Sequence, residues 1–118
     1  MNTSNNTVVN ANNDSISNIV LTTILSMPGP QEFKGSLTTI ISYENSLEGV
    51  DVDLNNGIGG HGNAEGDTYI NVTRVLGSNY DDIMIGNQYF TEFNGKKGDD
   101  AFFVKGGKNI CKRLNKGI

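Results

Sequence analysis

From Glu48 to Leu54 the chain reads Glu-Gly-Val-Asp-Val-Asp-Leu, and this alternation of apolar and acidic side chains is the two-residue period of a strand with one buried face. Tyr69–Leu76 is rich in β-branched residues and stops at Gly77, which predicts a second strand. Between them Gly57, Gly59, Gly60, Gly62 and Gly66 predict a flexible loop with no regular element. Upstream, Ser17–Ser26 suits a strand or a short helix, ended in either case by the Pro28-Gly29-Pro30 turn. Residues 1–18 hold seven Asn and few large apolar side chains, a composition that cannot offset the entropy of ordering, so an extended or disordered leader is expected there.

From Gly77 the pattern becomes periodic. Three nine-residue units open at Gly77, Gly86 and Gly95, and a weaker fourth follows. Their sixth position reads Asp82, Thr91, Asp100 and then Asn109, and their eighth reads Met84, Phe93, Phe102 and then Cys111, apolar throughout. A six-residue turn followed by a three-residue strand whose middle side chain points inward explains both columns. Two units make one coil, so residues nine apart face each other across the interior and residues eighteen apart stack on the same side. Phe93 should then lie opposite Met84 and Phe102. Lys34–Ser42 reads as a decayed unit with Thr39 in the Asp position.

Composition sharpens this picture. A chain of 118 residues with 36% hydrophobic content, no Trp and 15 Gly is short of large core side chains. Its single Cys, Cys111, allows no internal disulfide, which leaves a metal or a repeat lattice as the staple. All 13 acids lie in residues 1–103 and five of the nine basic residues lie in 104–118. An acidic body of this kind argues against nucleic-acid binding, and the basic end reads as a solvated tail. Ile16–Met27 is too short and polar to span a bilayer and lacks the positive flank of a cleaved signal peptide.

The same arithmetic sets Asp82 beside Asp100, two carboxylates that repel unless a cation lies between them. Calcium suits such a pair, because it takes six or more hard oxygen ligands in flexible geometry and needs no His or Cys. His61, alone among glycines, reads as a solvated loop residue, and Cys111 as a small buried hydrophobe. Glu65 and Asp67 suit a turn or an additional calcium ligand better than an acid–base pair.

Ile41-Ser42-Tyr43-Glu44-Asn45, Gly49–Leu54, Ala64-Glu65-Gly66-Asp67-Thr68 and Leu76-Gly77-Ser78 with Asp81-Asp82, followed by the nonapeptides, resemble hemolysin-type calcium-binding proteins of the repeats-in-toxin family, over roughly residues 40–107. The resemblance implies an all-β fold: a parallel β-roll, that is, a short right-handed β-helix of nonapeptide repeats. It further implies a secreted protein exported without a cleaved N-terminal signal peptide. The calcium site carried over would use the carbonyls of Ser78, Tyr80, Gly95 and Lys97 with the side chains of Asp82 and Asp100. Ser78, Tyr80 and Lys96 stand where that family has Gly, and Thr91 and Asn109 stand where it has Asp.

The expected organisation is a leader over 1–33, a calcium-binding roll over 34–112 and a basic tail over 113–118. No catalytic residues are expected, and any enzyme of which such a roll forms part would lie outside these residues. The rival expectation is a calcium-independent structural or interaction remnant of a larger exoprotein, whose open coil ends invite self-association.

Overall fold

The computed structural model describes residues 20–88, 90–104 and 109–112. Eleven short strands occupy them: β1 Thr22–Leu25, β2 Glu32–Lys34, β3 Thr39–Ser42, β4 Asp51–Asp53, β5 Ile58–Gly60, β6 Thr68–Ile70, β7 Arg74–Leu76, β8 Ile83–Ile85, β9 Thr91–Asn94, β10 Ala101–Phe103 and β11 Asn109–Lys112. One turn of 3₁₀ helix covers Gly62–Ala64. The protein is all-β, with two sheets. The first is wholly parallel, in the order β1-β3-β7-β9-β11, and the second is mixed, in the order β10-β8-β4-β5-β6-β2.

From β7 onward the chain passes from one sheet to the other at every turn, and paired residues lie eighteen apart: Arg74 beside Glu92, Ile83 beside Ala101, Thr91 beside Asn109. This is the register that the nine-residue pattern predicts. Upstream the spacing is irregular, because Thr22 pairs with Thr39, Ile40 with Arg74 and Asp51 with Ile83. The extra length between β4 and β8 is taken up by a hairpin, where Asp53 accepts hydrogen bonds from the backbone N–H groups of Asn56 at its side chain and Gly57 at its carbonyl. That hairpin is where the second sheet loses its parallel sense.

Three expectations therefore need correction. Gly57–Gly66 is not structureless, since it holds β5 and the 3₁₀ turn; Gly59 stands so close to the Tyr69 hydroxyl, 2.5 Å from an ideal Cβ, that only glycine fits there. Tyr69–Leu76 is not one strand but two, broken at Asn71, whose φ of 59° turns the chain from the second sheet to the first. The described part of the expected leader, residues 20–33, is not loose: β1 pairs with β3, β2 pairs with β6, and Phe33 is buried in a stack with Tyr69. Residues 1–19 and 113–118 lie outside the described residues.

Two columns run through the core. Ile41, Val75 and Phe93 stack in the first sheet, and Val52, Met84 and Phe102 in the second, each residue in register with the next. Phe93 meets Phe102 across the interior, with ring centroids 6.1 Å apart and planes at 13°. The strands are three or four residues long, and β2, β4, β6, β7 and β8 bury only their middle side chain, so each of these contributes one apolar group per crossing and the columns carry much of the packing energy. Cys111 continues the first column beside Phe93 but is exposed. Its expected burial fails because no further described strand lies beyond β11. Outside the first sheet, Arg74 and Glu92 form an ion pair along the same stack, and Lys112 approaches Glu92 at 3.7 Å.

Phe93 is fully buried in the first column, facing the second. Phe93→Ala is expected to cost about 3–5 kcal/mol, read as a lower midpoint in urea denaturation at unchanged slope. A loss below about 1 kcal/mol would mean that the columns do not carry the fold.

Candidate metal centre

Asp82 and Asp100 occupy the position just before β8 and β10, and Val50 holds the same place before β4. The parallel register of these strands puts the three residues side by side. Asp82 and Asp100 are buried, at 1% and 4% exposure, so the eighteen-residue reading brings the two carboxylates to one place in the fold. They are joined through the backbone: the Asp82 N–H donates to Asp100 Oδ1 at 2.9 Å, and the Val50 N–H donates to Asp82 Oδ1 at 2.9 Å. Each carboxylate thus reaches one coil back and accepts the N–H of the residue that it stacks on.

Ser78 completes the surroundings of Asp82. Its hydroxyl donates to Asp82 Oδ1 at 2.6 Å and its N–H donates to Oδ2 at 3.0 Å. The glycine that opens each unit has a related cause. Asp82 folds back over Gly77 and Asp100 over Gly95, and an ideal Cβ on either glycine would lie 2.3 Å from a carboxylate oxygen. The first-position glycine is therefore a consequence of the sixth-position acid, a link not drawn from the sequence although both columns were visible there.

Of the six residues carried over by resemblance, the fold brings Asp82, Asp100, Ser78 and Gly95 together as buried groups, while Tyr80 and Lys97 stay in exposed turns. The Tyr80 carbonyl points at the neighbouring turn, where it sits 2.4 Å from an ideal Cβ on Gly98, whose φ of 98° also favours glycine. Among the described residues no three His, Cys, Asp or Glu side chains converge as a metal-holding group; the centre has two carboxylates. Beside it opens a groove of about 410 Å³ lined by Glu48, Asp51, Asp81, Asp82, Asp99 and His61, and among the described residues no Lys or Arg lines it.

The opposite edge differs. Thr73, Thr91 and Asn109 stack there in the same register, and Thr91 takes the place over Gly86 that Asp82 takes over Gly77. The Thr73 and Thr91 hydroxyl oxygens are buried without a hydrogen-bond partner. The residues of that row carry no carboxylate.

His61 is exposed, as expected, yet it is held: its Nδ1 lies 2.8 Å from Asp51 Oδ2, its N–H donates to Glu65 Oε1, and its φ is 63°. Asp67 does not pair with Glu65. It is buried instead, accepting hydrogen bonds from the Tyr43 hydroxyl at 2.6 Å and the Gln31 N–H at 2.8 Å, and Tyr43 also meets the Tyr69 hydroxyl at 2.6 Å. Burial raises the pKa of all three side chains. This cluster ties the β3 turn to β6 and went unread in the sequence, where Tyr43, Asp67 and Tyr69 show no common spacing.

Comparison with protein-family models, with curated proteins and with solved structures returned no match, so the chemistry of the centre is argued from its own atoms. Burial raises the Asp82 pKa to about 7, and the neighbouring Asp100 adds to the rise, against the opposing hydrogen bonds from Ser78 and Val50. The carboxyl returns to its ordinary 3.8 on unfolding. Between those values the folded chain binds more protons than the unfolded one, so stability falls as pH rises through the window. Asp67, also raised, acts in the same direction.

With chelator present, the melting temperature is expected to climb as pH is lowered from about 7.5 to about 5, and Asp82→Asn to flatten part of that slope. A melting temperature that drops steadily over the same range would show that the Asp82 carboxylate is stabilised as the anion.

Proposed function

We propose that this chain is a calcium-binding β-roll segment in which a cation shared by Asp82 and Asp100 couples metal binding to folding. The observation that carries the reading is that two buried carboxylates stand on adjacent coils, beside an acidic groove that no Lys or Arg among the described residues lines. Two anions in a low-dielectric site are costly unless they are protonated or share a cation. Around neutral pH a divalent ion is the better answer.

The donor set fits calcium in kind. It offers carboxylate, hydroxyl and carbonyl oxygens and neither imidazole nor thiolate, a set that suits hard cations over zinc or copper. Asp82, Asp100, Ser78 and the turn carbonyls of Tyr80, Gly95 and Lys97 would hold the ion. Asp82 would exchange at least its Ser78 hydroxyl bond for the metal. The ion would supply charge neutralisation between coils and no reaction step, so the module is a binding and folding element rather than a catalyst. The parallel, eighteen-residue stacking of β7 to β11 is the geometry in which such a roll is built. The β4–β6 hairpin is a departure from a simple roll. A secreted setting, where calcium is plentiful, fits a site of this kind; extracellular modules bind with dissociation constants around 10⁻⁴–10⁻³ M.

A second reading has its own observation. Because Asp100 and Asp82 already satisfy the N–H groups of Asp82 and Val50, the same acids can serve a metal-independent stack, kept as a structural or interaction element of a larger exoprotein.

Calorimetric titration separates the two. The calcium reading expects one site at millimolar calcium or below and a stability gain of about 1.4 kcal/mol at tenfold the dissociation constant. Asp100→Asn should remove the heat and the gain while the chelated protein keeps its β-sheet circular dichroism. No heat and no thermal shift in 10 mM calcium would sink it in favour of the metal-independent stack.

A further inference from the structure

We infer that copies of this chain stack head to tail through the two ends of their sheets. β1 and β11 bound the first sheet, and β2 and β10 bound the second. An edge strand presents backbone groups that template another strand, and β1 carries no charged side chain to blunt it. Every residue of β1 is exposed, including Ile24 and Leu25, and Leu21 and Met27 beside it are exposed too. At the other end Phe103, Val104 and Ile110 are exposed, together with Cys111.

The occupant that fits is a second copy, because the two ends are complementary to each other. The column of the first sheet runs Ile24, Ile41, Val75, Phe93, Cys111 in continuous register. Its three inner members are buried at 0 to 1%, whereas Ile24 is 37% exposed and Cys111 is exposed. Setting β1 of one copy beside β11 of the next would extend the column by the same step, with four-residue strands in the same parallel sense on both sides. The contact joins unlike surfaces, so it does not close at two and gives open-ended stacks. It depends on the sheets alone and holds whether or not Asp82 and Asp100 bind calcium.

The test uses the full chain in chelator, with disulfide capture as readout. Parallel neighbours lie about 4.8 Å apart, within the Cα separation that a disulfide spans. Ile24→Cys should therefore link to Cys111 of the next copy under mild oxidation, and a non-reducing gel should show trimers and longer ladders. The parent, with a single Cys, can link no further than dimers. Leu47→Cys, at the most exposed large apolar position (83%) but away from both ends, controls for random collision. Ladders from Ile24→Cys well beyond those of Leu47→Cys support the stack, and equal ladders overturn it. Light scattering of the parent adds an arm without substitutions: mass rising with concentration past the dimer is expected. A constant monomer, or a dimer that stops at two, overturns the inference.

Discussion

Parallel hydrogen bonding between residues eighteen apart is the constraint on which the rest of this structure hangs. A strand of three residues makes too few bonds to be stable by itself, and each buries at most a single side chain. Only repetition in register joins those single side chains into columns. Keeping register requires that every coil use the same length of chain, and a slip of one residue would turn each apolar side chain to solvent and each outward charge to the interior. The nine-residue spacing is thus a mechanical requirement of the stack, and where the chain departs from it, between β4 and β7, a hairpin absorbs the difference and the sheet sense changes.

The same register explains why acids sit inside a small protein with a modest core. At the entry to β8 and to β4 a backbone N–H points along the stack, and the side chain one coil on accepts it. Asp100 does this for Asp82, and Asp82 for Val50. The arrangement lines up like charges in a poorly solvated row, and their repulsion is relieved by a proton or by a cation. Burial first, and the neighbouring Asp100 after it, raise the Asp82 pKa, and the proposed calcium site would answer the same cost of holding carboxylates there. On the opposite edge, Thr73, Thr91 and Asn109 have no such conflict and no such chemistry.

A second polar cluster, Asp67 with Tyr43 and Tyr69, is buried where the irregular upstream part meets the regular coils. Its hydrogen bonds are directional, so it locks the join between β3 and β6, where repetition does not set the path. Order in this protein comes from two sources: periodicity downstream and specific polar contacts upstream.

What could be read from the amino acids alone followed that division. The eighteen-residue pairing, the inward column of Met84, Phe93 and Phe102, and the meeting of Asp82 with Asp100 were all legible, because a period is a local property that repetition turns into three-dimensional position. The glycine that accompanies each acid was visible as a column, but its reason, the carboxylate folded over it, emerged only from the coordinates. The β5 hairpin, the break at Asn71, the pairing of β1 with β3 and the exposure of Cys111 were decided by tertiary structure. Each depends on partners distant in sequence and shares no period with them: Gly59 is glycine because of Tyr69, β1 is a strand because β3 offers an edge, and Cys111 is exposed because its column stops there. Side-chain periodicity determines which residues repeat and on which face, while the fold alone decides where the repetition begins and ends.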